Sequence, residues 1–277
     1  MFRKYVLIML GITLALSGCT GNSLTNGSSE LTKISLPMGY IPNIQFAPFY
    51  VAIEKGYFRE AGIDLEMDYK FETDGVALVG AGDLPFAVVS GEQVLLARAQ
   101  ELPVTYVAAW YQQYPVSVVA KSESEVLIPQ DLKGKKIGLP GLFGANYIGL
   151  RALLFEAEMS EGDVTLDAIG FNQVELLAAG EQDVIVGYAA NEPIQLRARG
   201  IPVTEIRVAE YVQLAANGIL ASETIISENP DLVRRFIAAF LKGLADTIAD
   251  PEEAFELSES HIPNFADLDR AVQSEIL

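Results

Sequence analysis

Hydrophobic and polar positions fall into three regimes along this chain. Tyr5–Leu16 is an almost unbroken apolar run behind Arg3 and Lys4, too short to span a bilayer comfortably and laid out like an export signal. Thr20–Thr32 is rich in Gly, Ser, Asn and Thr, a composition that reads as a flexible tether. From Lys33 onward, short apolar runs alternate with segments of helical period, so order is expected to begin there.

The apolar runs predict strands near Ile34–Gly39, Ile63–Tyr69, Phe86–Val89 and Val104–Trp110, with helices near Pro48–Glu60, Gly75–Ala81 and Glu92–Gln100 between them. A second series predicts strands near Lys136–Leu139, Thr165–Ile169 and Val184–Val186, with helices near Asn146–Met159, Gln173–Ala179 and Pro193–Arg199. Strand and helix taking turns marks a parallel sheet wrapped by helices, so the fold class is α/β with two units. Pro115–Lys121 and, on the way back, Glu205–Ala221 are apolar and strand-like. They read as a two-strand hinge, which makes the second unit an insertion in the first. The expected domains are a signal peptide at 1–18, a tether at 19–32, a first lobe at 33–116 and 213–277, and a second lobe at 117–212. Pro230 opens a long amphipathic helix with Leu232, Phe236, Ala239, Phe240 and Leu244 on one face. A cleft between two such units suits a small ligand, because strand carboxyl ends and helix amino ends converge there.

Composition narrows the chemistry. Cys19 is the only cysteine and His261 the only histidine, which argues against an ordinary zinc site, a histidine-based triad, a disulfide or a thiol nucleophile in the folded part. No metal site and no catalytic residue is assigned. His261, near Pro263, reads as a surface or helix-end residue. Net charge is −18, and it becomes −20 when Arg3 and Lys4 leave with residues 1–18, which hold no acid. Such a protein repels nucleic acid and anionic membrane surfaces. The basic run Lys133-Gly134-Lys135-Lys136 reads as a solvated turn. Leu16-Ser17-Gly18-Cys19 resembles the lipobox of bacterial lipoproteins, which implies cleavage before Cys19, its diacylation, and a protein tethered to the cell membrane facing the periplasm or the outside.

Several motifs resemble, as a set, the NMT1/THI5-like family of solute-binding proteins, related to thiamine-pyrimidine synthases. They are Tyr40-Ile41-Pro42-Asn43, Ala47-Pro48-Phe49-Tyr50-Val51-Ala52, Glu54-Lys55-Gly56-Tyr57-Phe58, Ala61-Gly62-Ile63, Leu95-Leu96-Ala97-Arg98-Ala99, Asp131 through Gly138, and Gly187-Tyr188-Ala189-Ala190-Asn191-Glu192-Pro193. The resemblance runs from about Lys33 to Ala245. It implies a type II periplasmic-binding-protein fold and a monomer that delivers a vitamin or vitamin precursor to an ABC permease and its ATPase. The tract from Gly39 through Gln45 to Ala52 is most similar to the riboflavin-binding branch. The pyrimidine-binding branch usually carries Asp-Trp where this chain has Gly39-Tyr40. Family members usually extend several tens of residues further than Leu277, so either a missing final helix or a truncated sequence is expected. The related fungal synthases rely on a histidine and a cysteine-rich motif that this chain does not match.

The candidate ligand residues sit on loops that follow strands and enter helices, where the first backbone N–H groups are unpaired. Tyr40 and Asn43 offer an aromatic face beside a carboxamide, which suits a flat heterocycle. The competing reading puts Tyr40 in core packing and makes Asn43 a cap. Ser90 follows a buried-looking run and reads first as a helix cap, second as a ligand contact. Trp110 and Tyr111 fall where the fourth strand meets the hinge, at the cleft floor. Asn146 and Tyr147 close the glycine-bracketed turn that starts at Gly141, which lacks the Gly-Lys-Ser/Thr ending of a P-loop and reads as a ligand wall. Tyr188, Asn191 and Glu192 open another helix. There Glu192 either accepts N–H groups of a ligand or simply complements the helix dipole. No Arg or Lys stands among these residues, so a neutral aromatic such as riboflavin fits better than a sulfonate, nitrate or phosphorylated vitamin. Riboflavin would be cargo, with no cofactor implied. A thiamine pyrimidine precursor of the formylaminopyrimidine type, or another small heterocycle, is the alternative.

Overall fold

Each apolar run of the first lobe becomes a strand. In the computed structural model, which describes residues 30–277, β1 (Thr32–Pro37) pairs in parallel with β2 (Ile63–Asp68), Thr32 lying opposite Ile63. The signal at 1–18, Cys19 and the tether as far as residue 29 lie outside the described residues. β3 (Phe86–Ser90) and β4 (Val104–Ala109) flank β10 (Asn217–Ser222), which runs antiparallel to both. The helices between are α1 (Ala47–Glu54), α2 (Tyr57–Glu60), α3 (Glu72–Ala81) and α4 (Gly91–Ala99). The single helix expected over Pro48–Glu60 is two helices, because Gly56 adopts a left-handed φ of +76° and breaks the hydrogen-bond ladder. Helix α3 starts at Glu72 rather than Gly75, and that places a carboxyl group where the sequence pattern shows only polar residues.

The second lobe is a five-stranded sheet built from β5 (Val116–Lys121), β6 (Lys136–Leu139), β7 (Thr165–Ala168), β8 (Val184–Tyr188) and β9 (Val203–Arg207), in the order β7-β6-β8-β5-β9. The three middle-sequence strands β6, β7 and β8 run parallel, and α5 (Gly144–Glu156), α6 (Gln173–Ala179) and α7 (Glu192–Ala198) cover them. Strand β5 is antiparallel to both β8 and β9. It lies inside this sheet instead of bridging the lobes. Glu205–Ala221 is likewise not one strand, since β9 ends at Arg207 in one sheet and β10 begins at Asn217 in the other. The chain passes between lobes through two short irregular stretches, 110–115 and 211–216. Their ends are tied together, because the Trp110 and Tyr111 amides both donate to the Asn217 carbonyl at 3.0 Å.

After β10 the chain returns through α8 (Glu223–Glu228), α9 (Pro230–Ala249), α10 (Pro251–Ser258) and α11 (Arg270–Ile276). The Asn229 side chain caps α9 by accepting from Leu232 N at 3.1 Å, and Pro230 sits at the first turn, where its missing N–H costs nothing. The inner face of α9 buries Leu232, Phe236, Ala239 and Phe240. Phe240 stacks on Phe49 of α1 (4.6 Å between centroids) and Phe236 on Phe86 of β3 (4.2 Å). A fully buried phenylalanine contributes about 2 kcal/mol, so this helix binds the first lobe into one core. His261 stacks on Tyr50 at 4.6 Å and meets Glu54 Oε1 at 2.7 Å. It is a helix-end residue. Among the described residues no helix is long and apolar enough to cross a membrane.

Candidate functional site

The loops at the strand ends of both lobes line one cavity that is partly open to solvent. Gly39, at a φ of +75°, turns the chain out of β1; a Cβ there would stand 3.2 Å from Glu72 Cβ. That turn sends Tyr40 across the cleft, where its ring meets Phe171 edge-on at 4.8 Å and its hydroxyl accepts from Asn191 Nδ2 at 3.2 Å. Burial, reinforced by the charge of Glu192, holds the Tyr40 phenol protonated far above its ordinary range. Trp110 packs edge-on to Phe49 at 5.4 Å and leans against Tyr111 at 4.9 Å. Tyr188 stands 6.4 Å from Tyr111, and its hydroxyl pairs with the Asn217 carboxamide. At the opposite wall Phe71 contacts Phe143 and Phe171, both at 5.1 Å.

Two buried carboxyl centres complete the lining. Glu72 accepts from Ser90 N and Ser90 Oγ, both at 2.9 Å, and from Ala145 N at the amino end of α5, in the other lobe. The α5 amide that a phosphate would use is therefore already taken by a carboxylate. Burial pushes the Glu72 carboxyl up, against the lowering effect of these donors. Behind it, Glu92 Oε1 lies 2.5 Å from Ser90 Oγ and 3.0 Å from Tyr114 Oη, while Glu92 Oε2 is buried without a partner. Burial first, and then the nearby Glu72, raise Glu92 to about 7. Glu192 Oε2 accepts from Tyr188 N at 2.7 Å, and burial pushes this carboxyl to about 7. Gly187 makes room for it, since a Cβ there would come within 2.5 Å of Glu192 Cδ.

Of the residues singled out from sequence, Tyr40, Trp110, Tyr111, Asn146, Tyr188, Asn191 and Glu192 line this cavity. Three do not. Asn43 caps the short 3-10 turn Ile44–Phe46, accepting from Gln45 N at 3.0 Å. Ser90 is fully buried behind the wall, and its hydroxyl joins Glu72 and Glu92 rather than capping α4. Tyr147 points outward, donating to Glu161 at 2.8 Å beneath the Arg151 guanidinium. Phe143 lines the cavity too, on the turn that reads as a ligand wall; residues not anticipated are Gln45, Phe46, Phe71, Glu72, Phe171, Gln173 and Asn217, all of which line it. Phe71-Glu72 follows the end of β2 just as Tyr40 follows β1, and that parallel was the available signal. No Lys, Arg or His lines the cavity. Among the described residues no group of three or more His, Cys, Asp or Glu is placed to hold a metal ion.

The family model described as NMT1/THI5 like matches residues 43–254. Over 255 residues the chain is 46% identical to the riboflavin-binding protein RibY of Chloroflexus aurantiacus, covering 91% of this chain and 73% of that protein. It is 28% identical over 261 residues to the formylaminopyrimidine-binding protein of Halalkalibacterium halodurans, covering 92% of this chain and 77% of that protein. The periplasmic aliphatic sulphonate binding protein SsuA of Escherichia coli superposes with a TM-score of 0.72 at 13% identity, over 88% of this chain and 82% of that one. That likeness fixes the fold as the two-lobe α/β periplasmic-binding-protein type. The matched span takes in the cleft loops of both lobes and most of the returning helices, and the chain therefore belongs to the NMT1/THI5-like family.

Proposed function

We propose that this protein is the extracytoplasmic solute-binding component of an ABC importer, tethered through Cys19, and that its cargo is riboflavin. One observation carries the reading: the cavity joins aromatic walls and carboxamides to two buried carboxyl groups, with no basic side chain in the lining. A buried anion there would lack a compensating charge. A neutral, flat heterocycle gains twice, stacking on Tyr40, Trp110, Tyr111 or Tyr188 and hydrogen-bonding to Glu192 or to a carboxamide of the lining. The likeness to a riboflavin-binding protein supports the same choice. Asn43 and Ser90 act at one remove in this scheme, by holding Gln45 and Glu72 in place.

Stacking on Trp or Tyr quenches flavin emission, so titrating the protein into dilute riboflavin should lower its fluorescence saturably. Phosphorylated riboflavin should bind more weakly, for want of a cation. If riboflavin fails to quench while formylaminopyrimidine gives a calorimetric isotherm, the cargo is the pyrimidine. The anchor has its own test, since Cys19→Ser should move the protein from the membrane fraction to the soluble one, as a diacyl anchor supplies nearly all membrane affinity for so acidic a body.

A further inference from the structure

The carboxamides of the cavity are not equivalent. Asn191 is committed to Tyr40 Oη and to Gln195 Nε2, the latter at 2.8 Å; Asn217 is committed to Tyr188, and Gln173 Nε2 reaches Val186 O at 3.4 Å. Gln45 and Asn146 differ, because Gln45 Nε2 and Asn146 Oδ1 are buried and have no hydrogen-bond partner within the protein. A buried amide without a partner is unfavourable and persists where something else supplies the bond. Both residues line the cavity. They approach it from opposite lobes, Gln45 on the 3-10 turn before α1 and Asn146 in the first turn of α5. Their backbones are fixed by side chains that the ligand need not touch: Asn43 holds Gln45 N, and Glu72 holds the amide of Ala145, next to Asn146.

The geometry points to Gln45 and Asn146 as the specificity-determining pair of this site, one from each lobe, reading a ring edge that carries both an N–H donor and carbonyl or ring-nitrogen acceptors. This rests on the riboflavin reading and extends it. A carboxamide offers donor and acceptor together, which is the complement of an imide edge such as the one the isoalloxazine ring presents. An aromatic ligand lacking that edge would fill the same walls and leave both carboxamides unpaired, so it would be rejected. Because the two groups come from different lobes, satisfying both also favours the closed form.

The test compares the full chain with Gln45→Leu and Asn146→Leu, near in size and without polar atoms. Thermal melts of the free proteins should show no loss, since each change removes a buried polar atom that has no partner. Riboflavin titration should show each variant weakened about tenfold or more. Riboflavin methylated at N3, which keeps the rings but blocks the imide donor, should bind the parent protein poorly. It should lose much less, relative to riboflavin, in at least one of the two variants. Where a leucine lowers the melt, Gln45→Met and Asn146→Ala must reproduce the affinity loss. Unchanged riboflavin affinity in both variants overturns the pair while leaving the cargo assignment intact. If the parent binds formylaminopyrimidine and not riboflavin, the cargo assignment fails, and the same variants titrated with the pyrimidine decide the pair. A parent that binds neither overturns both.

Discussion

Ser90 has one hydroxyl hydrogen, yet its Oγ lies 2.9 Å from Glu72 Oε2 and 2.5 Å from Glu92 Oε1. Two carboxylates cannot share one donor in a site without cations, so a further proton is held by the Glu72–Glu92 pair, both of whose carboxyls burial raises, Glu92 to about 7. Glu192, also at about 7, behaves alike. A rise from 4.5 to about 7 favours the protonated form by about 3 kcal/mol per group. The sign follows from linkage: the folded state holds protons that the unfolded chain has lost. This contribution is complete below pH 4.5 and is lost as pH rises through about 7. Asp131, Asp163, Asp167 and Asp246 are lowered below an ordinary 3.8, so they act on the acid side of that window. Melting temperature should therefore fall between pH 5.5 and 8, and Glu92→Gln, a permanent mimic of the protonated acid, should flatten part of the slope. An unaltered slope would place the proton elsewhere. At the aromatic wall, Trp110→Ala should weaken riboflavin about tenfold or more, through lost burial and stacking, as read by fluorescence titration. Tyr40 and Glu192 were legible in the sequence because each stands at a strand-to-helix junction, and Trp110 because a lone tryptophan ends the strand run that leads out of the first lobe. Phe171 was not, and Phe143 was so only as part of the turn that starts at Gly141. Their role comes from Phe71, which meets them across the cleft, and no local pattern records that apposition.

At the scale of elements, apolar period located β1 to β8, the helices among them apart from α2, and α9, while it ran β9 and β10 together and gave no bounds for α8, α10 or α11; glycine and pairing partners decided part of what period could not. The sequence pattern over Pro48–Glu60 is continuous, and only the left-handed Gly56 splits it into α1 and α2. Strand β5 looked like a bridge because its run is apolar without alternation apart from Ser117 and Lys121, which is equally the mark of a strand buried on both faces of a sheet. Gly243 shows a constraint of the opposite kind. It lies on the buried face of α9, where intrinsic propensity alone would prefer alanine. Yet a Cβ at this position would come 2.2 Å from Pro48 O and 2.7 Å from Ala52 Cβ, both on α1. These neighbours are backbone and a fixed methyl group, so the two helices must separate to admit one carbon. Gly243→Ala should destabilise the protein by about 1–3 kcal/mol in urea denaturation, outweighing the roughly 1 kcal/mol of helix propensity gained. A neutral or stabilising result would mean that α1 and α9 pack more loosely than these distances state.

For the molecule as a whole, the lobes are held by few bonds, and nearly all of them converge on the cavity. Glu72 reaches the amino end of α5, Asn191 reaches Tyr40, Tyr188 pairs with Asn217, and the rings of Phe71 and Phe171 meet. The two connecting passages have no regular structure, so little in the backbone itself opposes rotation of one lobe on the other. Two of these latches also contain or adjoin buried carboxyl groups, which water would solvate better in an open cleft. Closure without ligand thus places polar contacts against the desolvation of Glu72 and Glu192, and a stacking ligand tilts the balance by filling the aromatic space between them. Small-angle scattering should show a smaller radius of gyration with saturating riboflavin than without it. Glu72→Ala removes the bond to α5 and should leave the ligand-free protein at least as open as the parent, with riboflavin still able to compact it through the aromatic wall. If the radius does not change at saturation in either protein, the lobes do not hinge, and ligand must enter through a mouth that stays open.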